Sequence, residues 1–123
     1  MNSRPLFDFV KVSPRAAAAI SSFQSEVLSQ ISTAVATNDV VILGMAHNPF
    51  VKKARAALKT AGTPFTYLEY GNYWNNYDVR VAIKMWTGWP TFPQVFVKGT
   101  FIGGASDLIA ELADGTFQKR LAK

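Results

Sequence analysis

The distribution of apolar residues predicts a helix in the first third of the chain. Ser13 is a favourable N-cap and Pro14 a favourable first helical residue, so we predict a first helix that runs to about Thr37. Asn38-Asp39 interrupts the pattern there. The residues that would form its apolar face recur every three or four positions, at Ile20, Phe23, Val27, Leu28, Ile31 and Val35.

A strand, a helix and a second strand are predicted next. Residues 40–43 (Val-Val-Ile-Leu) are a β-branched run typical of a strand buried on both faces. Asn48-Pro49 caps a predicted helix that ends before Gly62, and residues 65–70 predict another strand. Because a helix connects them, the two strands should be parallel, with a right-handed crossover.

The second half of the chain is predicted as a loop, a helix, an extended segment, a hairpin and two helices. Asp78 is the predicted cap of the first of these helices, and Pro90 and Pro93 exclude helix around them. Lys98-Gly99 suits a two-residue hairpin turn, and Ser106-Asp107 should start the next helix. The predicted ranges are 71–77, 78–88, 89–93, 94–102, 106–115 and 116–123.

Length and composition fit one domain with its own core. The chain has 123 residues, of which 49% are hydrophobic, and folding at this size requires no disulfide or metal. We predict a single domain over 13–123, preceded by an N-terminal arm over 1–12 that either packs through Phe7 and Phe9 or stays mobile. The sequence has no cysteine and one histidine, His47, which excludes thiol chemistry and a multi-histidine metal site.

Charge and hydropathy limit the classes of binding partner and the cellular locations that we expect for the protein. The net charge is +5, but the basic residues are dispersed from Arg4 to Lys123 and form no stripe, so we predict no nucleic-acid partner. Asp8 and Lys11 interrupt any N-terminal signal, and the longest apolar run is too short to cross a bilayer. We therefore expect a cytoplasmic protein that does not enter a membrane.

Three segments together resemble one protein family. They are the first strand and helix start, the Trp-Pro-Thr-Phe-Pro-Gln helix and loop, and the hairpin with its diglycine turn, at 40–54, 78–94 and 95–108. The chain resembles glutaredoxins, most closely the monothiol Trp-Pro-Thr-x-Pro-Gln subgroup. This resemblance implies a thioredoxin-like α/β fold, with a four-stranded mixed sheet flanked by helices and an extra N-terminal helix.

The resemblance also implies that the catalytic sulfur is missing. It puts Asn48 at the nucleophile position, Val51 at the resolving position and Met45 where the family has a lysine. An asparagine amide cannot attack a disulfide, whereas it is a good helix cap. We therefore expect no cysteine-based thiol–disulfide oxidoreductase activity and no iron–sulfur cluster, since monothiol relatives ligate the cluster through that cysteine.

With redox activity excluded, the resemblance still implies a groove that binds glutathione or a peptide. It implies that Pro93 is cis and that the Phe92 backbone pairs with the cysteinyl part of glutathione. Arg80 and Lys84 would face the glycine carboxylate, and Gly104, Ser106 and Asp107 the γ-glutamyl end. The full candidate groove comprises Met45, Asn48, Phe50, Arg80, Lys84, Thr91, Phe92, Pro93, Gly104, Ser106 and Asp107.

Other interpretations remain open. The groove can be an inherited scaffold that binds nothing, or the chain can be a glutaredoxin altered at its cysteines, naturally or by engineering, with Ala105 a position where relatives often carry Cys or Ser. A protein-interaction adaptor is the third interpretation, because Tyr73, Trp74 and Tyr77 lie in the polar loop 70–77, where core burial is not required. His47 has no predicted hydroxyl nucleophile or acidic partner and is interpreted as a loop residue.

Overall fold

The computed structural model describes residues 4–123. A short 3-10 turn, Phe9–Lys11, precedes six helices and four strands in these residues. In chain order they are α1 Pro14–Ser22, α2 Ser25–Thr37, β1 Val40–Gly44, α3 Pro49–Thr60, β2 Thr66–Glu69, α4 Tyr77–Thr87, β3 Gln94–Val97, β4 Thr100–Gly103, α5 Ala105–Asp114 and α6 Thr116–Leu121.

The four strands form one mixed sheet in the order β2-β1-β3-β4. β1 pairs parallel with β2, and Ile42 lies opposite Tyr67. β1 and β3 are antiparallel, as are β3 and β4, which form the predicted hairpin around Lys98-Gly99. The sheet with helices on both faces confirms the predicted thioredoxin-like fold.

The central strand β1 carries the core on both faces because its successive side chains point in opposite directions. Val41 and Leu43 pack with Ile31 of α2 and Ile83 of α4. Val40 and Ile42 pack on the opposite face with the helical residues Ala54, Leu58, Ala105, Leu108 and Phe117. All five β1 residues are buried, as the β-branched run predicted.

The prediction of one continuous first helix is wrong. The helix breaks at Phe23–Gln24, where Gln24 adopts a left-handed conformation (φ 52°) before α2 starts. α2 buries Ile31 and Val35 against the sheet, whereas α1 has no buried residue and leaves Ile20 48% exposed. The core therefore holds α2 alone, and the alanine-rich α1 takes its own direction.

Two predicted helix starts also shift. α4 begins at Tyr77, because the carbonyl of Asn76 already accepts the first helical hydrogen bond from the Arg80 amide, and Asp78 lies inside the first turn. α5 begins at Ala105, where the Asp107 carboxylate accepts a hydrogen bond from the Gly104 amide (2.9 Å). In both helices the acidic side chain still lies at the end that favours negative charge.

The described part of the N-terminal arm lies on the surface. Phe7 and Phe9 are 64% and 70% exposed, and their rings meet edge to face at 6.2 Å. Residues 1–3 of the predicted arm lie outside the described range. Within 4–123, every helix is too short or too polar to span a bilayer.

Candidate functional site

The start of α3 presents an asparagine side chain in place of a thiol. Asn48 Oδ1 accepts hydrogen bonds from the amides of Phe50 (2.9 Å) and Val51 (3.1 Å), and Pro49 is the first helical residue. These amides are the donors that would stabilise an anion at this position. They are bound to the chain's own side chain instead, so Asn48 is a helix cap, and Val51 is buried beneath it.

A buried amide side chain fixes the segment that precedes β3. Gln94 is fully buried; its Nε2 donates to the carbonyls of Trp89 (3.1 Å) and Thr91 (3.4 Å). Its Oε1 accepts from the Thr87 hydroxyl (2.7 Å). These three hydrogen bonds join the end of α4, the Trp89–Thr91 segment and the sheet, and hold the chain in the shape that leads to Pro93.

Phe92-Pro93 follows this clamp and lines a cavity. The peptide bond between them is cis, as the resemblance implied. Among the hydrogen bonds between residues 4 and 123, none involves the Phe92 amide or carbonyl. Phe92 is buried, and its backbone amide and carbonyl are a donor and an acceptor without a partner among the described residues.

The diglycine turn positions the start of α5 opposite this backbone. Gly103 has φ 111°, and a Cβ there would lie 2.4 Å from Asp107 Oδ2, so no larger residue fits without displacing that carboxylate. Asp107 Oδ2 accepts the Gly104 amide, and its other oxygen is left for a ligand. The amides in the first turn of α5 have no helical acceptor and point outward from the helix start.

A cavity of about 250 Å³ joins these elements. It brings together seven residues of the predicted groove and two others, Trp89 and Ala105, in the set Phe50, Trp89, Thr91, Phe92, Pro93, Gly104, Ala105, Ser106 and Asp107. Trp89 packs across Gly104, with its Nε1 3.6 Å from the place of a Gly104 Cβ. Trp89 opens the Trp-Pro-Thr-Phe-Pro-Gln motif, and its place next to Pro90 was the signal in the sequence for a position at the groove.

Four predicted groove residues do not line this cavity. Asn48 caps α3 beside it, and Met45 belongs to the core around β1. Arg80 is buried, and its Nη1 donates to the carbonyls of Tyr70 (3.1 Å) and Asn75, so its guanidinium anchors the loop before α4. Lys84 does not line the cavity, but its Nζ lies 5.7 Å from the centre of the Phe92 ring.

The aromatic loop and Tyr67 of β2 do not line this cavity. Tyr73, Trp74 and Tyr77 are 59%, 92% and 67% exposed. Burial, together with a hydrogen bond to Glu69, raises the pKa of Tyr67 to about 12, so its phenol stays protonated. In the described residues no three His, Asp or Glu side chains come together as metal ligands.

The fold and the site together define a class of protein. A β2-β1-β3-β4 sheet, a capped helix after β1 and a cis-proline before β3 are those of a thioredoxin-fold protein. The family model described as Glutaredoxin matches residues 40–102, just over half of the chain. This chain belongs to the glutaredoxin family.

Individual relatives agree with that assignment. A glutaredoxin-like protein of Dictyostelium discoideum is 46% identical over 104 residues, which cover 85% of each chain. The oxidized glutaredoxin 2 of Chlamydomonas reinhardtii has a TM-score of 0.69 at 32% identity, covering 80% of this chain and 94% of the other. A buckwheat glutaredoxin solved as a complex with glutathione shares the fold, with a TM-score of 0.71 at 21% identity, covering 80% of this chain and 89% of the other.

Proposed function

We propose that this chain is a glutathione-binding or γ-glutamyl-peptide-binding module of the glutaredoxin family that performs no cysteine-based redox chemistry. The observation that carries the proposal is the cavity between Phe92-Pro93 and the start of α5, next to a helix start occupied by Asn48. A framework suited to hold a tripeptide persists where the nucleophile is absent. The glutathione complex of the buckwheat protein, which shares this fold, makes the ligand class plausible.

The backbone of Phe92 supplies the central contact in this proposal. Its free amide and carbonyl would pair with the cysteinyl residue of the ligand as an added strand. Such pairing needs no side chain from the protein, and it survives the loss of the thiol. The ligand's sulfur would lie toward Asn48, which can contact it but cannot exchange electrons with it.

The start of α5 would bind the γ-glutamyl end. Its free amides favour the α-carboxylate of that group, and the unoccupied oxygen of Asp107 favours the neighbouring ammonium. Ser106 adds a hydroxyl at the same rim. One end of the cavity thus offers donors and an acceptor in the pattern of an amino-acid zwitterion.

The opposite carboxylate of the ligand has a weaker partner. Arg80 is committed to the loop carbonyls and Met45 to the core, so Lys84 is the cation proposed for the glycine carboxylate. Loss of one charge-assisted contact removes about 1.5–3 kcal/mol, or roughly ten- to more than hundredfold in affinity. Weak, millimolar binding is therefore expected.

Three finer assignments belong to the same proposal. Trp89-Pro-Thr-Phe-Pro-Gln94 supports descent from the monothiol branch of the family. The absence of cysteine supports a protein with no thiol–disulfide activity and no protein-ligated iron–sulfur cluster. We also propose a cytoplasmic location, and 13–123 as the binding domain with residues 1–12 as an appended arm.

Glutathione titration tests the groove directly. Amide NMR shifts are expected at Thr91, Phe92 and Gly104 to Asp107, with a dissociation constant in the millimolar range. Replacing Asp107 with Asn keeps an acceptor for Gly104 but removes the charge that faces the ammonium, so affinity should fall about fivefold. Asp114→Asn, at the far end of α5, is the matched control and should bind like the unmodified chain.

The titration also has an outcome that rejects the proposal. If no amide shifts up to ten millimolar glutathione, the groove is an inherited scaffold. Shifts confined to Lys52, Lys53 and Lys59 would indicate only general attraction of an anion to the basic α3.

A protein-interaction adaptor is the second candidate, favoured by the exposed aromatic loop. Trp74 is 92% exposed, and buried Arg80 holds the loop in place from below. Large aromatic side chains that a structured loop presents to solvent are typical of interface anchors. A complex formed here should weaken at least tenfold on Trp74→Ala and stay unchanged on Lys84→Gln, as measured by surface plasmon resonance. The opposite pattern would assign the interaction to the groove.

A further inference from the structure

A second, larger cavity lies between α4 and the N-terminal part of the described chain. Its volume is about 650 Å³, within the range of small-molecule sites. One wall comes from the N-terminal arm and the break between α1 and α2, through Phe9, Ile20 and Phe23. The facing wall comes from α4 and the segment after it, through Met85 and Trp86.

The walls of this cavity are apolar and open to water. Phe9 is 70% exposed, Ile20 48%, Met85 59% and Trp86 40%. Large apolar side chains gathered in one concavity on a small monomer mark a binding surface more often than chance exposure does. A ligand with an apolar body would remove this surface from water.

The charges at the cavity have a single sign. Arg4 and Lys84 line it, and no Asp or Glu does. The ion pairs found between residues 4 and 123 are Lys98–Asp39 and Arg120–Glu111, so neither cation at the cavity is neutralised by a described carboxylate. An apolar cavity bordered only by cations complements a ligand with an aliphatic body and an anionic head.

We propose that this cavity binds a long-chain monocarboxylate, that is, a fatty acid. The aliphatic chain lies between the arm and α4 against Ile20, Met85 and Trp86, and the carboxylate lies at Arg4 or Lys84. The cavity is distinct from the candidate glutathione groove, but Trp89 lines both, and Lys84 is also the cation proposed above for the glycine carboxylate of glutathione. The proposal does not depend on glutathione binding.

Decanoate, below its micelle concentration, is the probe, and decanol is its uncharged counterpart. The experiment follows tryptophan fluorescence of the full chain carrying Trp74→Phe, which removes the exposed tryptophan and leaves Trp86 and Trp89 at the cavity. Saturable binding of decanoate is expected at micromolar to submillimolar concentration. Decanol should bind at least fivefold more weakly, since it forms no ion pair.

Charge variants identify the site. Met85→Glu places a carboxylate on an exposed position of the cavity wall and should abolish decanoate binding, whereas Met85→Leu should preserve it. Lys84→Gln and Arg4→Gln should each weaken binding about threefold, with Lys53→Gln on α3 as the matched control without effect. Circular dichroism establishes that every variant is folded.

Three results would overturn the proposal. They are no saturable decanoate binding, equal affinity of the Met85→Glu and Met85→Leu variants, and decanol binding as tight as decanoate. Sedimentation velocity provides a further test, because a second copy of the chain could cover the same apolar face. A dimer that Met85→Glu dissociates but decanoate does not would assign the cavity to self-association instead.

Discussion

Replacing Asn48 with cysteine is expected to give this chain a reactive thiol in a single step. The introduced sulfur would lie at the start of α3, where the amides of Phe50 and Val51 lose their present acceptor and can stabilise a thiolate. Helix starts lower a thiol pKa below its usual value of about 8.5. We therefore expect the pKa of the introduced thiol to lie below 8.5, although the buried Met45 adds no positive charge that would lower it further.

The rate of alkylation against pH measures that pKa, and mass spectrometry detects the mixed disulfide with oxidised glutathione. Lys53→Cys, on the exposed face of the same helix, is the control for a thiol away from the helix start and should titrate near 8.5. At pH 7 the Asn48→Cys variant should form the mixed disulfide about threefold faster, because its larger thiolate fraction outweighs the lower nucleophilicity of a less basic thiolate. Asn48→Ser should keep the cap and stay inert. Equal pKa values and rates for the two cysteine variants would mean that the helix start no longer activates sulfur.

Replacing Gln94 with leucine is expected to destabilise the fold by about 2–4 kcal/mol and to disrupt the groove. The change removes a fully buried donor and leaves the carbonyls of Trp89 and Thr91 without it. Each buried polar group without a partner costs about 1–3 kcal/mol. Urea unfolding gives the free energy, and the loss of glutathione-induced shifts at Phe92 would report the loss of groove shape.

A second variant separates hydrogen bonding from packing at this position. Gln94→Glu preserves the shape, but a carboxylate cannot donate a hydrogen bond. Burial favours its protonated form, whose single O–H can donate to one of the two carbonyls. The folded-state pKa of the introduced carboxyl is therefore raised above its unfolded value of about 4.3. Its stability should be near that of the unmodified chain below pH 4 and fall as the pH rises toward 7.

Gln30→Glu, on the exposed face of α2, should change stability by less than about 0.5 kcal/mol at either pH. If Gln94→Leu loses under 1 kcal/mol, the clamp contributes nothing and the shape of 89–93 is set by the prolines alone. If Gln94→Glu shows no pH dependence, water reaches the site and satisfies the carbonyls.

In this member of the glutaredoxin family, the start of α3 and the groove depend on different residues. Asn48 caps α3, because its Oδ1 accepts hydrogen bonds from two backbone amides. In a chain with cysteine at this position, the same amides could donate to the thiolate. The groove depends on different residues, namely the Gln94 clamp and the Gly103 turn. Because these parts do not contact the nucleophile position through shared hydrogen bonds, the loss of sulfur leaves the groove in place.

The elements that sequence analysis predicted correctly rest on local backbone preferences. Asn48-Pro49 starts a helix, Gly88 ends one with positive φ, and Lys98-Gly99 turns a hairpin, each within a few residues. The same holds for β1, whose run of β-branched and leucine side chains requires burial on both faces. Seven residues of the predicted groove also line one cavity, because they come from short contiguous motifs.

Only the tertiary structure decided which groups individual side chains contact. Arg80 was predicted to face a ligand, yet the loop carbonyls of Tyr70 and Asn75 surround its guanidinium. Nothing in the local pattern announces the break at Gln24, since the helical spacing continues through it and only packing on the sheet selects α2. The amino-acid sequence by itself determined the order of the strands and of the helices from α3 onward, the family and the absence of cysteine. Which cations remain free, and where the second cavity opens, depend on contacts between residues far apart in the chain, and local preference carries no information about those contacts.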